Sequence, residues 1–185
     1  MGSEGEGMST LINRVLAVSV AVALATVVAA VATAEVANTY AGQVILFSKR
    51  PPTRWASDGV FHSFVRAHRI TTVRENAEGN WDIEYMGFFK RAVGDREVSV
   101  RFFDAQDTSG RYITSYTLYL DDPRQRVVGG SVELERPEFQ PNRYYKIIVA
   151  SQGKTLASLT KLALIGKEPE RSGEVNFTVE DTKVR

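Results

Sequence analysis

An all-β fold, an antiparallel β-sandwich preceded by an N-terminal hydrophobic segment, is what this sequence predicts, on three observations. Short runs of alternating apolar and polar residues recur along the chain, each bounded by turn residues. A charge-free run of Val, Ala, Leu, Ser and Thr fills positions 15–34. The 185 residues include no cysteine, so the core has to hold without disulfides and the chain offers no thiolate chemistry.

The apolar run comes first. Arg14 precedes it, and Ala32, Thr33 and Ala34 form a small-residue cleavage site before Glu35. This reads as a secretory signal that exports the rest of the chain. The alternative is a retained single-pass anchor, since the run is just long enough to span a bilayer. Its alanine content makes insertion weak, Glu4 and Glu6 dilute Arg14, and Lys49, Arg50 and Arg54 lie on the far side. With no cysteine after the run, a lipidated cysteine is not available. An exported domain without disulfides fits a bacterial periplasm or cell surface. The expected organisation is a signal peptide or anchor at 1–34, one domain at 40–181 and a tail at 182–185.

Within the domain, 43–48 (QVILFS) is continuously apolar and reads as a strand buried on both faces. Segment 57–68 is ambiguous. As a helix it places Phe61, Phe64, Val65 and His68 on one face, with Ser57 or Asp58 as N-cap. Segment 69–74 is a strand candidate. The cleanest strands follow: Trp81, Ile83 and Tyr85 alternate with Asp82, Glu84 and Met86. Val98, Val100 and Phe102 alternate with Glu97, Ser99 and Arg101. Tyr112, Thr114, Tyr116, Leu118 and Leu120 alternate with Ser115, Thr117 and Tyr119. Val132 and Leu134 lead to Pro137, which cannot join a ladder. Tyr145, Ile147 and Val149 form the next strand, Gln152 and Gly153 a tight turn, 156–165 a long apolar strand, and Val175, Phe177 and Val179 a last one. The expected core anchors are Trp81, Phe102, Tyr116, Tyr145 and Ile147.

One stretch carries a resemblance. Pro141, a short polar corner, then Tyr145 with Ile147 and Val149 behind it resembles the E–F corner of immunoglobulin-like and fibronectin-type III sandwiches. There a tyrosine near the start of strand F bonds back to the corner backbone. The resemblance covers about thirty residues and implies architecture; it carries no activity with it.

The chemistry-bearing residues are sparse. A net charge of +1 gives no electrostatic footprint for nucleic acid. His62 and His68, six apart, do not share a helical face, and a histidine among aromatics is more often structural than a metal ligand. Gly153, Lys154 and Thr155 lack the first glycine of a phosphate loop, where Ile148 stands. Asp104, Asp107, Asp121 and Asp122 carry an alternative reading as a calcium- or carbohydrate-binding module, or as an enzyme using acidic loops. Their ordinary role is turn chemistry. No cofactor and no catalytic residue is assigned.

Two features point to binding. Lys49, Arg50 and Arg54 with Trp55, and Arg66, His68 and Arg69 further on, form a basic cluster suited to an anionic envelope polymer, a lipid head group or an acidic protein patch. Met86, Phe88, Phe103, Tyr119 and Tyr144 fall on outward faces, where aromatics on neighbouring strands make a patch for another envelope protein. The strands at 43–48 and 174–180, or segment 57–68, offer a competing third layer over that patch. The expected function is therefore an exported, non-catalytic binding or structural protein of the cell envelope, touching membrane only if 15–34 is retained.

Overall fold

The computed structural model describes residues 34–167. The segment 1–33, with most of the expected signal or anchor, and the expected strand around Phe177 lie outside the described residues. The elements run α1 (Ala34–Thr39), β1 (Val44–Phe47), α2 (Asp58–His68), β2 (Arg69–Ile70), β3 (Thr72–Arg74), β4 (Trp81–Phe88), β5 (Glu97–Asp104), β6 (Tyr112–Tyr119), β7 (Val127–Leu134), β8 (Arg143–Ser151) and β9 (Lys154–Ile165). They build two facing sheets, β2-β1-β4-β7 and β3-β9-β8-β5-β6. The orders β1-β4-β7 and β9-β8-β5-β6 correspond to strands A-B-E and G-F-C-C′ of an immunoglobulin-type sandwich.

Two expectations need correction. The sandwich is not wholly antiparallel: β3 pairs with β9 in parallel, Val73 opposite Leu164. The 69–74 stretch is not one strand either. The chain leaves the first sheet after Ile70 and joins the second at Thr72, so β2 and β3 serve different sheets. The start of β1 also reaches across, with the Ser158 amide donating to the Gly42 carbonyl at 3.0 Å.

The space between the sheets is filled by the inward sets that the alternation predicts. Trp81, Ile83 and Tyr85 of β4 meet Val98, Val100 and Phe102 of β5 and Tyr145, Ile147 and Val149 of β8. Tyr116 is only half-buried and packs edge-on against Phe102, ring centroids 5.8 Å apart. Gly130 stands opposite Tyr85, and a Cβ there would lie 3.0 Å from the tyrosine hydroxyl, so the missing side chain makes room for the ring.

All four residues of β1 are buried. Val44 and Leu46 enter the inter-sheet core, while Ile45 and Phe47 point the other way, with Met86, Phe88 and Val127. Helix α2 covers that second face. Ser57 caps it, its hydroxyl accepting from the Val60 amide at 3.4 Å, and Asp58 in the first turn and Arg66 and His68 in the last suit the helix dipole. Phe61 and Val65 bury onto the sheet, and α1 adds Val36 and Ala37. The ambiguity over 57–68 thus resolves as a helix, and the fold is a sandwich with a helical third layer on one side only.

The corner before β8 has the anticipated geometry. The Tyr145 hydroxyl accepts from the Gln140 amide at 2.7 Å and faces the Gln140 carbonyl at 3.4 Å. Burial raises the phenol's pKa, keeping it neutral and able to serve both roles. Asn142 takes a left-handed φ of 59° and donates its amide to Leu164 at 2.7 Å. The β8–β9 hairpin turns through Gln152 and Gly153 at φ 47° and 76°, the two positive angles of a type I′ turn. Asp95 ties that turn to the β4–β5 connection by accepting from Gln152 and from the Ser151 hydroxyl. At the other end the Trp81 indole donates to the Ile165 carbonyl at 3.0 Å, under the Arg136 guanidinium, which pairs with Glu75 at 2.9 Å.

Tyr145→Phe keeps the ring and removes the hydroxyl that accepts from the Gln140 amide. A loss of about 1–2 kcal/mol in chemical denaturation, with an unchanged m-value, is the expected outcome.

Candidate partner-binding face

Pairing of β1 with β2 brings part of the basic cluster together, Arg69 opposite Phe47 and the His68 carbonyl accepting from the Ser48 amide next to Lys49. Lys49, Arg50 and Arg54 are exposed, but Trp55 turns inward. Its ring stacks edge-on against Phe61 and Phe64, centroids 4.9 and 5.0 Å away. Trp55 is thus drawn into the helical layer, which needs a ring to close its open side. Arg50 lies with Pro51, Glu84, Tyr85, Met86, Gly129 and Gly130 around a shallow hollow of about 10 Å³, room for about one water. That is below the usual range for ligand pockets. Burial raises the Glu84 pKa and the Arg50 charge opposes the rise, so part of that cation's field acts on its neighbour. His62 and His68 are likewise engaged: Nδ1 of His62 lies 2.9 Å from the Tyr40 hydroxyl, and His68 packs on Phe64 with centroids 4.5 Å apart.

The acidic loops have structural occupations. Asp104 is buried, accepts from the Gln106 amide, and lies 3.6 Å from Arg111 and 3.4 Å from Arg143. Asp107 caps its own turn through the Ser109 amide and hydroxyl, and these bonds hold its carboxyl below the usual range. Asp122 does the same with Arg124.

The outward patch also divides. Met86 and Phe88, on β4, are covered by the helices and are core residues of the third layer. Phe103, Tyr119 and Tyr144 lie on the second sheet, which neither described helix covers. Tyr119 is 69% exposed and Tyr144 38%. Register places Phe103 opposite Tyr112 on one side and Lys146 on the other. Tyr144 is diagonal to Phe103 on β8, and Ala105, two residues beyond Phe103, donates its amide to the Tyr144 carbonyl at 3.0 Å. Tyr119 instead opposes Glu97, six residues from Phe103 along β5, which is about 20 Å at strand rise. The structure thus brings Phe103 and Tyr144 together and leaves Tyr119 apart.

Tyr112 joins the patch although simple alternation assigns it inward. A register shift after Phe102 leaves Ile113 unpaired and turns Tyr112 out, 53% exposed, its ring edge-on to Phe103 at 5.8 Å. A bulge has no signature in the apolar pattern, so this residue was not legible. The cations were equally hidden. Lys161 on β9 sits over the Tyr144 ring with Nζ 4.2 Å from its centroid. Lys146 stands opposite Phe103, and Arg101 shares its face two residues along β5, its guanidinium donating to the Ser99 hydroxyl at 2.9 Å. Among the described residues these three cations form no ion pair. Three rings and three cations therefore share one end of a sheet face that is open among the described residues, and Glu97 carries negative charge at the opposite end.

No protein-family model matches the chain, and no curated protein is similar to it. One solved structure, an immunoglobulin-like protein from Pseudomonas aeruginosa, aligns over 66% of this chain and 90% of its own, at 11% identity and a TM-score of 0.33. That likeness is too distant to add to the strand order itself. Among the described residues no helix is long and apolar enough to cross a membrane.

Residues of the open face should be dispensable for folding. Tyr112→Ala and Tyr119→Ala are expected to stay within about 0.5 kcal/mol of the parent in denaturant melts. Phe102→Ala, one residue from Phe103 but fully buried, should cost about 3–5 kcal/mol.

Proposed function

We propose that the protein is an exported, non-catalytic β-sandwich of the cell envelope that binds an anionic partner on the outer face of its five-stranded sheet. The observation that carries this reading is the open face itself, where Tyr144, Phe103 and Tyr112 stand beside Lys146, Lys161 and Arg101 with no carboxylate among them in the described residues. Exposed aromatics grouped with cations have no role in the core, and a soluble domain does not need them there. The non-catalytic part of the reading is supported by the carboxylates: Asp104, Asp107 and Asp122 are each held by arginines or by their own turns. Export is supported by the apolar run at 15–34 and the small residues before Glu35. A retained anchor at 15–34 is the second form of the same reading, placing the domain on the outer side of the membrane.

Fractionation of cells producing the full chain, followed by N-terminal mass spectrometry, tests export. A product in the soluble envelope fraction beginning at Glu35 is the expected outcome. A membrane-bound product retaining 15–34 indicates the anchored form, and an intact product in the cytoplasm contradicts both.

A further inference from the structure

We infer that the partner of this face is an acidic polysaccharide, its sugar rings stacked on the aromatic residues and its acid groups paired with the lysines and the arginine. The inference rests on the face being the binding site. Register builds the site: Lys146 opposes Phe103 and Phe103 opposes Tyr112, a row across three strands, and Lys161 on the next strand reaches over the neighbouring Tyr144 ring. At about 4.8 Å per strand the row is roughly 10 Å wide, the length of some two sugar units, and Lys161 extends the site onto a fourth strand. Arg101 lies one step along the strands from that row, so a second acid group finds a cation without leaving the face.

The shape and chemistry select the class. Among the described residues the face is open, which suits an extended chain rather than a small molecule, for which concave sites are used. A pyranose ring has one face of C–H groups that packs on a phenol, while its hydroxyls reach the tyrosine oxygens at the ring edge. Tyr144 and Tyr112 offer such rings, both exposed, and the Tyr112 hydroxyl donates to Ser115 at 2.9 Å. The Lys161 ammonium over Tyr144 places a positive charge beside one stacking ring. A docked protein is a poorer fit, because a folded partner calls for a contiguous apolar centre, and Phe103 has Lys146 opposite it and Arg101 two residues along on its own face. Single-stranded nucleic acid satisfies the same pairing of rings and cations; an exported protein does not meet it.

Calorimetric titration of the full-chain protein as it is recovered tests this, with polygalacturonate, neutral dextran, poly-glutamate and an oligothymidylate as probes. Binding of polygalacturonate, weakened by salt, with no binding of dextran, is the expected result. Lys146→Ala with Lys161→Ala should weaken that binding at least tenfold and flatten its salt dependence. Tyr112→Ala with Tyr144→Ala should weaken it about tenfold and leave the salt dependence unchanged, and the Phe versions should restore most of it. Equal binding of poly-glutamate and insensitivity to the tyrosine changes would overturn the glycan assignment in favour of charge alone. Tighter binding of the oligothymidylate would overturn it in favour of nucleic acid. Binding of polygalacturonate that survives all four alanine changes would reject the face as the site, and no binding of any probe would reject an anionic ligand there. Export is read separately from the N-terminus, so failure of binding is distinct from failure of export.

Discussion

Strand β1 is apolar on both faces, and the arrangement of the rest follows from that. A strand with every side chain buried needs a layer on each side. The second sheet supplies one through Val44 and Leu46, and α2 supplies the other through Ile45 and Phe47. Each buried side chain of this size contributes on the order of 1.5–3 kcal/mol relative to exposure, so leaving Ile45 and Phe47 in water would cost much of a domain's net stability. The helical layer then recruits Trp55, Tyr40 and Phe64 to close its rim. This consumes the apolar surface of the first sheet and, among the described residues, leaves the outer face of the second as the open one.

The two ends of the sandwich are held by different means. At one end Asp95 accepts from two backbone amides, from Gln152 and from Ser151, which binds a loop to a hairpin by hydrogen bonds alone. The Glu97 amide leads in lowering its pKa, so the carboxylate keeps this role well into mildly acidic solution. At the other end Arg136 bridges Glu75, the Gly79 and Lys167 carbonyls and the Trp81 ring. A Cβ on Gly166 would collide with the Glu75 carboxylate, so the glycine is what allows that bridge to close against the end of β9. With the Tyr145 corner, these links fix how the sheets stack. The outer face of β5, β6 and β8 presents its side chains in register.

Much of the sandwich was legible in the sequence because alternation is a local property. Trp81, Phe102, Tyr145 and Ile147 each announce their face by what stands on either side, and the tyrosine corner by its spacing from Pro141. The site was legible only in part. Phe103 and Tyr144 were found, since outward aromatics break the expected polar pattern. Tyr112 was not, because a bulge reverses its face without changing composition. Lys146 and Lys161 look like ordinary solvated charges until pairing sets them beside rings on neighbouring strands. Trp55 is the converse case: a tryptophan in a basic, proline-containing loop reads as exposed, and only the helix packed against it shows where it goes.

Hydrogen–deuterium exchange of the protein with and without polygalacturonate locates the contact. The account predicts protection in β5, β6 and β8 around Phe103, Tyr112 and Lys146, and none in the loop at Lys49, Arg50 and Arg54. Protection confined to that loop, with the open sheet face unchanged, would contradict it.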